Sequence, residues 1–206
     1  MNIRDYLDIR PDMVSQYIKE NGESSVSQVL TQDEYEYVKY LTATFEAKAK
    51  QCFYNAQMIC LMAGSLDADV KYVEGYVKSA GRVPVHHAWV EVNGKTVDVT
   101  LVTTQYSMEQ LEQFMNIGIE LPRAVDLSDR VLGAIPKEWE YYGVKFDSSE
   151  VAQDFIDRGR SFSKIDDWEN GWPLIEKLHT SFRADEKEIK DEECFDEQEV
   201  KVSPKV

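Results

Sequence analysis

The sequence predicts an α+β fold: a cysteine-bearing helix packed on an antiparallel sheet, with further helices at both ends. Three observations predict it. Apolar residues recur at helical spacing up to about Met62. From Val70 the pattern changes to strand-like alternation, as in Lys71-Tyr72-Val73-Glu74-Gly75-Tyr76-Val77. Asn93-Gly94 then separates two apolar runs, the strongest short hairpin signal, because both residues tolerate positive φ.

The elements follow in chain order. Pro11 to Ile18 reads as a short helix ending before Asn21-Gly22, and a serine-rich connector follows (Ser24-Ser25-Val26-Ser27). Thr31 and Glu34 stand as N-cap and N3 of a capping box. They open a helix with Tyr35, Val38, Leu41 and Phe45 on one face, expected to run to about Ala49. Cys52 to Met62 forms the next helix, with Ala56, Ile59, Cys60 and Ala63 as its buried face and Gly64 as its stop. Val83 to Val92 and Lys95 to Leu101 are the strands on either side of Asn93-Gly94. Ser107 to Met115 is expected to be a helix, and Trp139 to Phe146 a return to the sheet. Ser149 to Arg158 reads as a helix capped by Ser148 or Ser149, and Trp172 to Thr180 as a last short one.

Residues 1–183 are therefore expected to form one α+β domain: a helical part over about 1–50, a core over about 51–150 and a helical extension over 151–183. From Asp185 to Lys201 the chain carries nine acidic and three basic residues with few apolar ones. Residues 184–206 accordingly read as an acidic, solvated tail, with an interaction tail as the alternative.

Composition narrows the function. The 206 residues suffice for a substantial core, and 43% hydrophobic content is that of a globular protein. A net charge of −15, from 38 acidic and 23 basic residues, argues against nucleic acid and against an anionic membrane. If the charge does more than keep the protein soluble, it suits a basic protein partner. No apolar run approaches the ~20 residues that span a bilayer, and Met1-Asn2-Ile3-Arg4-Asp5 lacks the shape of a signal peptide. A cytoplasmic protein is the expectation. Cys52, Cys60 and Cys194 are three thiols. Cys52 and Cys60 would lie about 12 Å apart along one helix, too far for a disulfide. Their spacing suits no zinc site, and neither metal nor cofactor is expected.

The chemistry-bearing residues lie between Cys52 and Thr100. Cys52 stands in the first turn of its helix, after Lys48-Ala49-Lys50, where unpaired N–H groups and the helix dipole favour a thiolate. Cys60, in mid-helix, reads as a small core residue. His86 and His87 point to opposite faces of their strand, and parity leaves open which one faces the site. Asp98 sits in the β-branched run Thr96-Val97-Asp98-Val99-Thr100, where aspartate is disfavoured. His87 is six residues from the turn and Asp98 four, so the two would be near neighbours or diagonal across the hairpin. A thiol, a base and a group to orient that base are the parts of a nucleophilic thiol site.

The order Cys52, His87-Ala88-Trp89, then Val97-Asp98-Val99-Thr100 resembles the transglutaminase-like branch of the papain-like cysteine enzymes. Gln51-Cys52-Phe53-Tyr54-Asn55-Ala56, Tyr72 to Tyr76, Pro84 to Trp89, Asn93 to Thr100 and Tyr142-Gly143-Val144 are similar to a set of small bacterial and phage proteins. The resemblance spans roughly residues 45 to 150. It implies a Cys52-His87-Asp98 triad and decides for His87 over His86. It also implies attack on an amide or peptide carbonyl through a thioester, as in cysteine proteases, amidases and deamidases. Hydrolysis is expected, since nothing announces an amine-binding site, and no calcium-loop pattern of the D-x-D-x-D-G type is present. The substrate would be a protein, a peptide or a small amide, in the cytoplasm of a bacterial host if the chain is phage-encoded.

Oxyanion donors are expected at the Cys52 N–H, with Gln51 or Asn55 as side-chain candidates. Trp89 would wall the site or fill the sheet's core. The Tyr72-Glu74-Tyr76 row reads as a polar edge-strand face before a substrate groove. Trp139, Tyr141, Tyr142, Trp168 and Trp172 read as packing before an aromatic binding surface. Two competing functions remain: an inactive relative serving as a protein-binding module, and an accessory phage protein.

Overall fold

The structure is a computed structural model that describes residues 1–45, 47–48, 50–63, 69–100, 131–159, 162–167, 169, 171–172 and 174–175. Its helices are α1 (Ile3–Asp8), α2 (Met13–Asn21), α3 (Gln32–Phe45), α4 (Cys52–Ala63) and α5 (Ser148–Arg158). The strands are β1 (Glu23–Ser24), β2 (Val70–Lys78), β3 (Val85–Val92), β4 (Lys95–Asp98), β5 (Val131–Leu132) and β6 (Glu140–Asp147). They form one six-stranded sheet in the order β1-β6-β2-β3-β4-β5, every neighbouring pair antiparallel. This is the mixed α+β arrangement that the sequence predicts.

Local chemistry explains most boundaries. Asn93 and Gly94 adopt φ of 51° and 75°, the left-handed pair that a tight hairpin needs. Thr31 and Glu34 form the predicted capping box. The Glu34 N–H donates to Thr31 Oγ1 at 3.3 Å, and the Thr31 N–H donates to Glu34 Oε2 at 2.7 Å. The same carboxylate holds Lys95 at 2.6 Å, tying α3 to the hairpin. Together these contacts hold the Glu34 carboxyl down at a pKa of about 2.

Several boundaries differ from expectation. The third helix ends at Phe45 rather than near Ala49, because both the N–H and the C=O of Lys48 are taken by the side chain of Asn55. The cap of α5 is Asp147 rather than a serine, its N–H donating to Glu150 Oε2 at 3.0 Å. Asp147 both ends β6 and opens α5, which a local pattern does not reveal. Trp172 has φ of 51°, so it does not start a helix. The expected stop at Gly64, the end of the β4 run at Leu101, the Ser107–Met115 helix, most of 172–180 and the acidic tail lie outside the described residues.

The two faces of the sheet have different roles. One carries Tyr72, Tyr76, Ala88, Val90, Val92, Tyr142, Val144 and Phe146, which join Leu41, Phe45, Ala56, Ile59 and Cys60 of α3 and α4 in the main core. The other carries Val73, Val77, Trp89, Val131 and Tyr141, a second and smaller apolar cluster. The sheet curls tightly around this second cluster. The Ser25 N–H donates to the Tyr141 carbonyl at 3.0 Å, while the next residue's carbonyl, Val26 O, accepts from Thr96 Oγ1 at 3.3 Å. Tyr141 and Thr96 lie on strands separated by two others, so consecutive residues of the serine-rich segment close the curl. Gly143 and Gly75 make the curl possible. A Cβ on Gly143 would lie 2.8 Å from Trp89 Cη2, and one on Gly75 would lie 2.2 Å from the Tyr142 carbonyl oxygen.

Candidate active site

Cys52 is the first residue of α4, with its thiol half-buried. Asn55, one turn later and fully buried, positions that helix end. Its Oδ1 accepts the Lys48 N–H at 2.9 Å, and its Nδ2 donates to the Lys48 carbonyl at 2.7 Å and to Thr100 Oγ1 at 2.8 Å. One amide thereby clamps the lead-in to α4 against the chain leaving β4. Both Nδ2 hydrogens are spent, so Asn55 is a positioning residue and has no donor left for an oxyanion. Gln51, whose carbonyl accepts the Asn55 N–H at 2.9 Å, is exposed. The N–H of Cys52 itself belongs to the first helical turn, where amides have no intrahelical acceptor.

His87 lies on the inner side of the curl, in register with Gly75. Its Nε2 is 2.7 Å from Asp98 Oδ2, and both residues are buried. With Nε2 turned to the carboxylate, Nδ1 is the nitrogen left for a second partner, and Cys52 is among the groups that raise the pKa of the ring. Burial alone would push the imidazole pKa down. The charge of Asp98, its hydrogen bond to the ring and the influence of Cys52 together outweigh that, and the pKa rises to about 10. His87 is therefore charged at neutral pH.

Asp98 is held in turn by other groups among the described residues. Besides His87, its Oδ1 accepts the Thr100 N–H at 2.9 Å, and Tyr141 O–H donates to its Oδ2 at 3.2 Å. Tyr141 was not among the residues that the sequence singled out for the site, since β6 is more than forty residues away and gives no local signal. Burial and the Asp98 charge together hold its phenol well above the ordinary range, so it stays a donor. Of the two readings of Trp89, the structure gives core. It is buried, its indole N–H donates to Ser25 Oγ at 3.2 Å, and its ring stacks 6.3 Å from that of His87.

His86 occupies the opposite, helix-facing side. Its ring lies 5.4 Å from that of Phe53, and its Nε2 lies 3.2 Å from Glu74 Oε1. Strand parity alone therefore misleads here. The histidine on the helix's face is His86, yet the one whose pKa is raised by Cys52 is His87, and Cys52 sits at the helix end. The β3–β4 ladder reaches only Val90↔Val97, and the chain beyond β4 is drawn to α4 by Asn55.

The Tyr72-Glu74-Tyr76 row is a buried core face rather than an edge, since β2 lies between β6 and β3. Glu74 stays ionised there, with its pKa lowered. Burial opposes this, but His86 and the hydroxyls of Ser163 and Tyr72 outweigh it. Tyr141 and Tyr142 are likewise buried packing. Cys60 is fully buried, which raises its thiol pKa far above the ordinary range, so it is no nucleophile. Among the described residues no group of His, Cys, Asp and Glu could hold a metal ion, and no helix is long and apolar enough to cross a membrane.

Fold and site define a class: an α+β protein with a cysteine at a helix N-terminus beside a histidine–aspartate pair on neighbouring strands. Residues 10–97 match the family model of the transglutaminase-like superfamily, so the chain carries a transglutaminase-like region. The match takes in Cys52 and His87 and stops one residue before Asp98. No curated protein and no solved structure matches the chain.

Proposed function

We propose that this protein is a cysteine-nucleophile enzyme that hydrolyses an amide or peptide bond, or transfers its acyl group, through a thioester. One observation carries this reading. A buried imidazole, His87, is paired with the Asp98 carboxylate at 2.7 Å, and Cys52, at the head of α4, is among the groups that raise its pKa.

In this reading the Cys52 thiolate attacks the carbonyl carbon, and the Cys52 N–H stabilises the oxyanion. The His87 imidazolium gives its proton to the departing amine, and the C–N bond breaks, leaving a thioester. The now neutral imidazole takes a proton from water, whose oxygen attacks the thioester and releases the acid and the thiol. Asp98 keeps the ring's orientation throughout and stabilises its charged form. Amidases, deamidases and proteases share this sequence of steps, and a protein, a peptide or a small amide would serve as substrate. An amine in place of water would make the enzyme a transferase.

The test is covalent labelling with chloroacetamide, an electrophilic amide mimic, with adduct sites read by mass spectrometry. Labelling at Cys52 that Cys52→Ala abolishes, with the circular dichroism spectrum unchanged, is the expected result. Adducts that move undiminished to Cys60 or Cys194 would overturn the proposal.

A further inference from the structure

Phe162 is 81% exposed, the highest exposure among the described large hydrophobic side chains. One exposed apolar residue needs no explanation on its own. What sets Phe162 apart is how firmly its backbone is held. Its carbonyl accepts from Nε2 of the buried Gln57 on α4 at 3.3 Å. The residues that follow are fixed to the buried Glu74 carboxylate, which accepts the Ser163 hydroxyl, the Lys164 N–H at 2.8 Å and the Ile165 N–H at 3.2 Å. Lys164 is itself buried and paired with Asp154 of α5. The strap is thus built into the interior, with Ile165 fully buried, while the Phe162 side chain is kept in solvent.

That side chain lies against Phe53, with the ring centroids 6.2 Å apart. On another side Phe53 meets His86 at 5.4 Å, and the Glu74 carboxylate lies 3.2 Å from His86 Nε2. Phe53 directly follows Cys52. An aromatic wall of Phe162, Phe53 and His86 therefore begins one residue along the chain from the thiol.

We propose that this wall recognises the substrate: it binds an apolar, aromatic-sized side chain on the acyl part of the scissile amide. The assignment rests on Cys52 being the nucleophile, as proposed above. Burying the exposed Phe162 ring against a substrate ring gives the binding its driving force, and the edge-to-face and tilted ring contacts already present leave an aromatic face open to a partner.

The experiment compares the rates at which N-acetyl-phenylalanine, N-acetyl-alanine and N-acetyl-glutamate chloromethyl ketones alkylate Cys52. Each rate is divided by that of iodoacetamide, which offers no side chain for recognition. In the wild type the phenylalanine reagent should exceed the alanine one by about tenfold, the order that a recognised apolar group confers. In Phe162→Ala the ratio should fall to within about twofold, and Phe162→Leu should restore most of it. A wild-type ratio near one, with iodoacetamide still labelling Cys52 rapidly, would overturn the recognition wall and leave the nucleophile standing. A ratio unchanged in Phe162→Ala would overturn it as well. Failure of every reagent to label Cys52 would sink the nucleophile reading, and the wall with it.

Discussion

His87 and Asp98 meet diagonally, not as cross-strand partners. The β3–β4 register pairs Val90 with Val97, so Asp98 continues toward Trp89 and His87 lies two residues further along β3. The side chains nevertheless close to 2.7 Å. Asp98 is the last residue of β4, and its Oδ1 is turned back onto the Thr100 N–H. Trp89 occupies the place opposite Asp98 and stacks on the His87 ring. The geometry is thus set by a strand end, a stacked indole and a buried tyrosine hydroxyl together.

Because the His87 pKa is raised from 6.5 to about 10, protonation stabilises the folded state. That contribution is complete below the unfolded pKa near 6.5 and is lost as pH rises through about 10. Urea denaturation should therefore show stability falling from pH 6.5 to pH 8, by on the order of 1 kcal/mol, before free thiols titrate. Asp98→Asn should flatten this slope, and an NMR titration should move His87 back toward the ordinary histidine range. A flat wild-type profile over that window would contradict the pairing.

Asn55→Ala should cost about 2 kcal/mol in urea, because it strands the partners of one fully buried amide. Gln51→Ala, at an exposed side chain, should change stability by less than about 0.5 kcal/mol. The same Asn55 variant should slow Cys52 labelling, since the clamp between Lys48 and Thr100 is lost. Undiminished stability together with undiminished labelling would remove Asn55 from its positioning role.

Gly143→Ala places a Cβ 2.8 Å from both Trp89 Cη2 and the Glu74 carbonyl oxygen. Overpacking of this kind costs about 1–3 kcal/mol. The indole must shift, so intrinsic tryptophan fluorescence should change in the folded state, and His87 loses part of its stacking surface. An unchanged emission spectrum and unfolding midpoint would show that the curl is looser than described.

The sequence made much of this readable, and for physical reasons. Asn93-Gly94, the Thr31/Glu34 box and the alternation of β2 are local signals whose causes lie within a few residues. Counting to the turn left His87 and Asp98 as near neighbours or diagonal, and the β3–β4 register decides for the diagonal. What local pattern could not supply was topology. Glu74, Tyr72 and Tyr76 look like a polar edge because carboxylates and phenols prefer water, yet Ser163, Lys164 and Ile165 supply Glu74's donors from far downstream. Tyr141 reaches Asp98 only because the sheet curls, and the Ser25–Val26 crossing that closes the curl reads in sequence as a plain connector. The choice between His86 and His87 was settled by resemblance, not parity. The structure explains why parity fails: the cysteine approaches from a helix end.

The most direct test of the account is the pH dependence of Cys52 alkylation by iodoacetamide in wild type and His87→Ala. Rapid labelling of Cys52 already at pH 6 in the wild type, lost when His87 is removed, is the expected result. Slow labelling in both proteins that rises only toward pH ~8.5, where an ordinary thiol ionises, would contradict it. The cysteine, the histidine and the aspartate would then be neighbours in the fold without the chemistry of a triad.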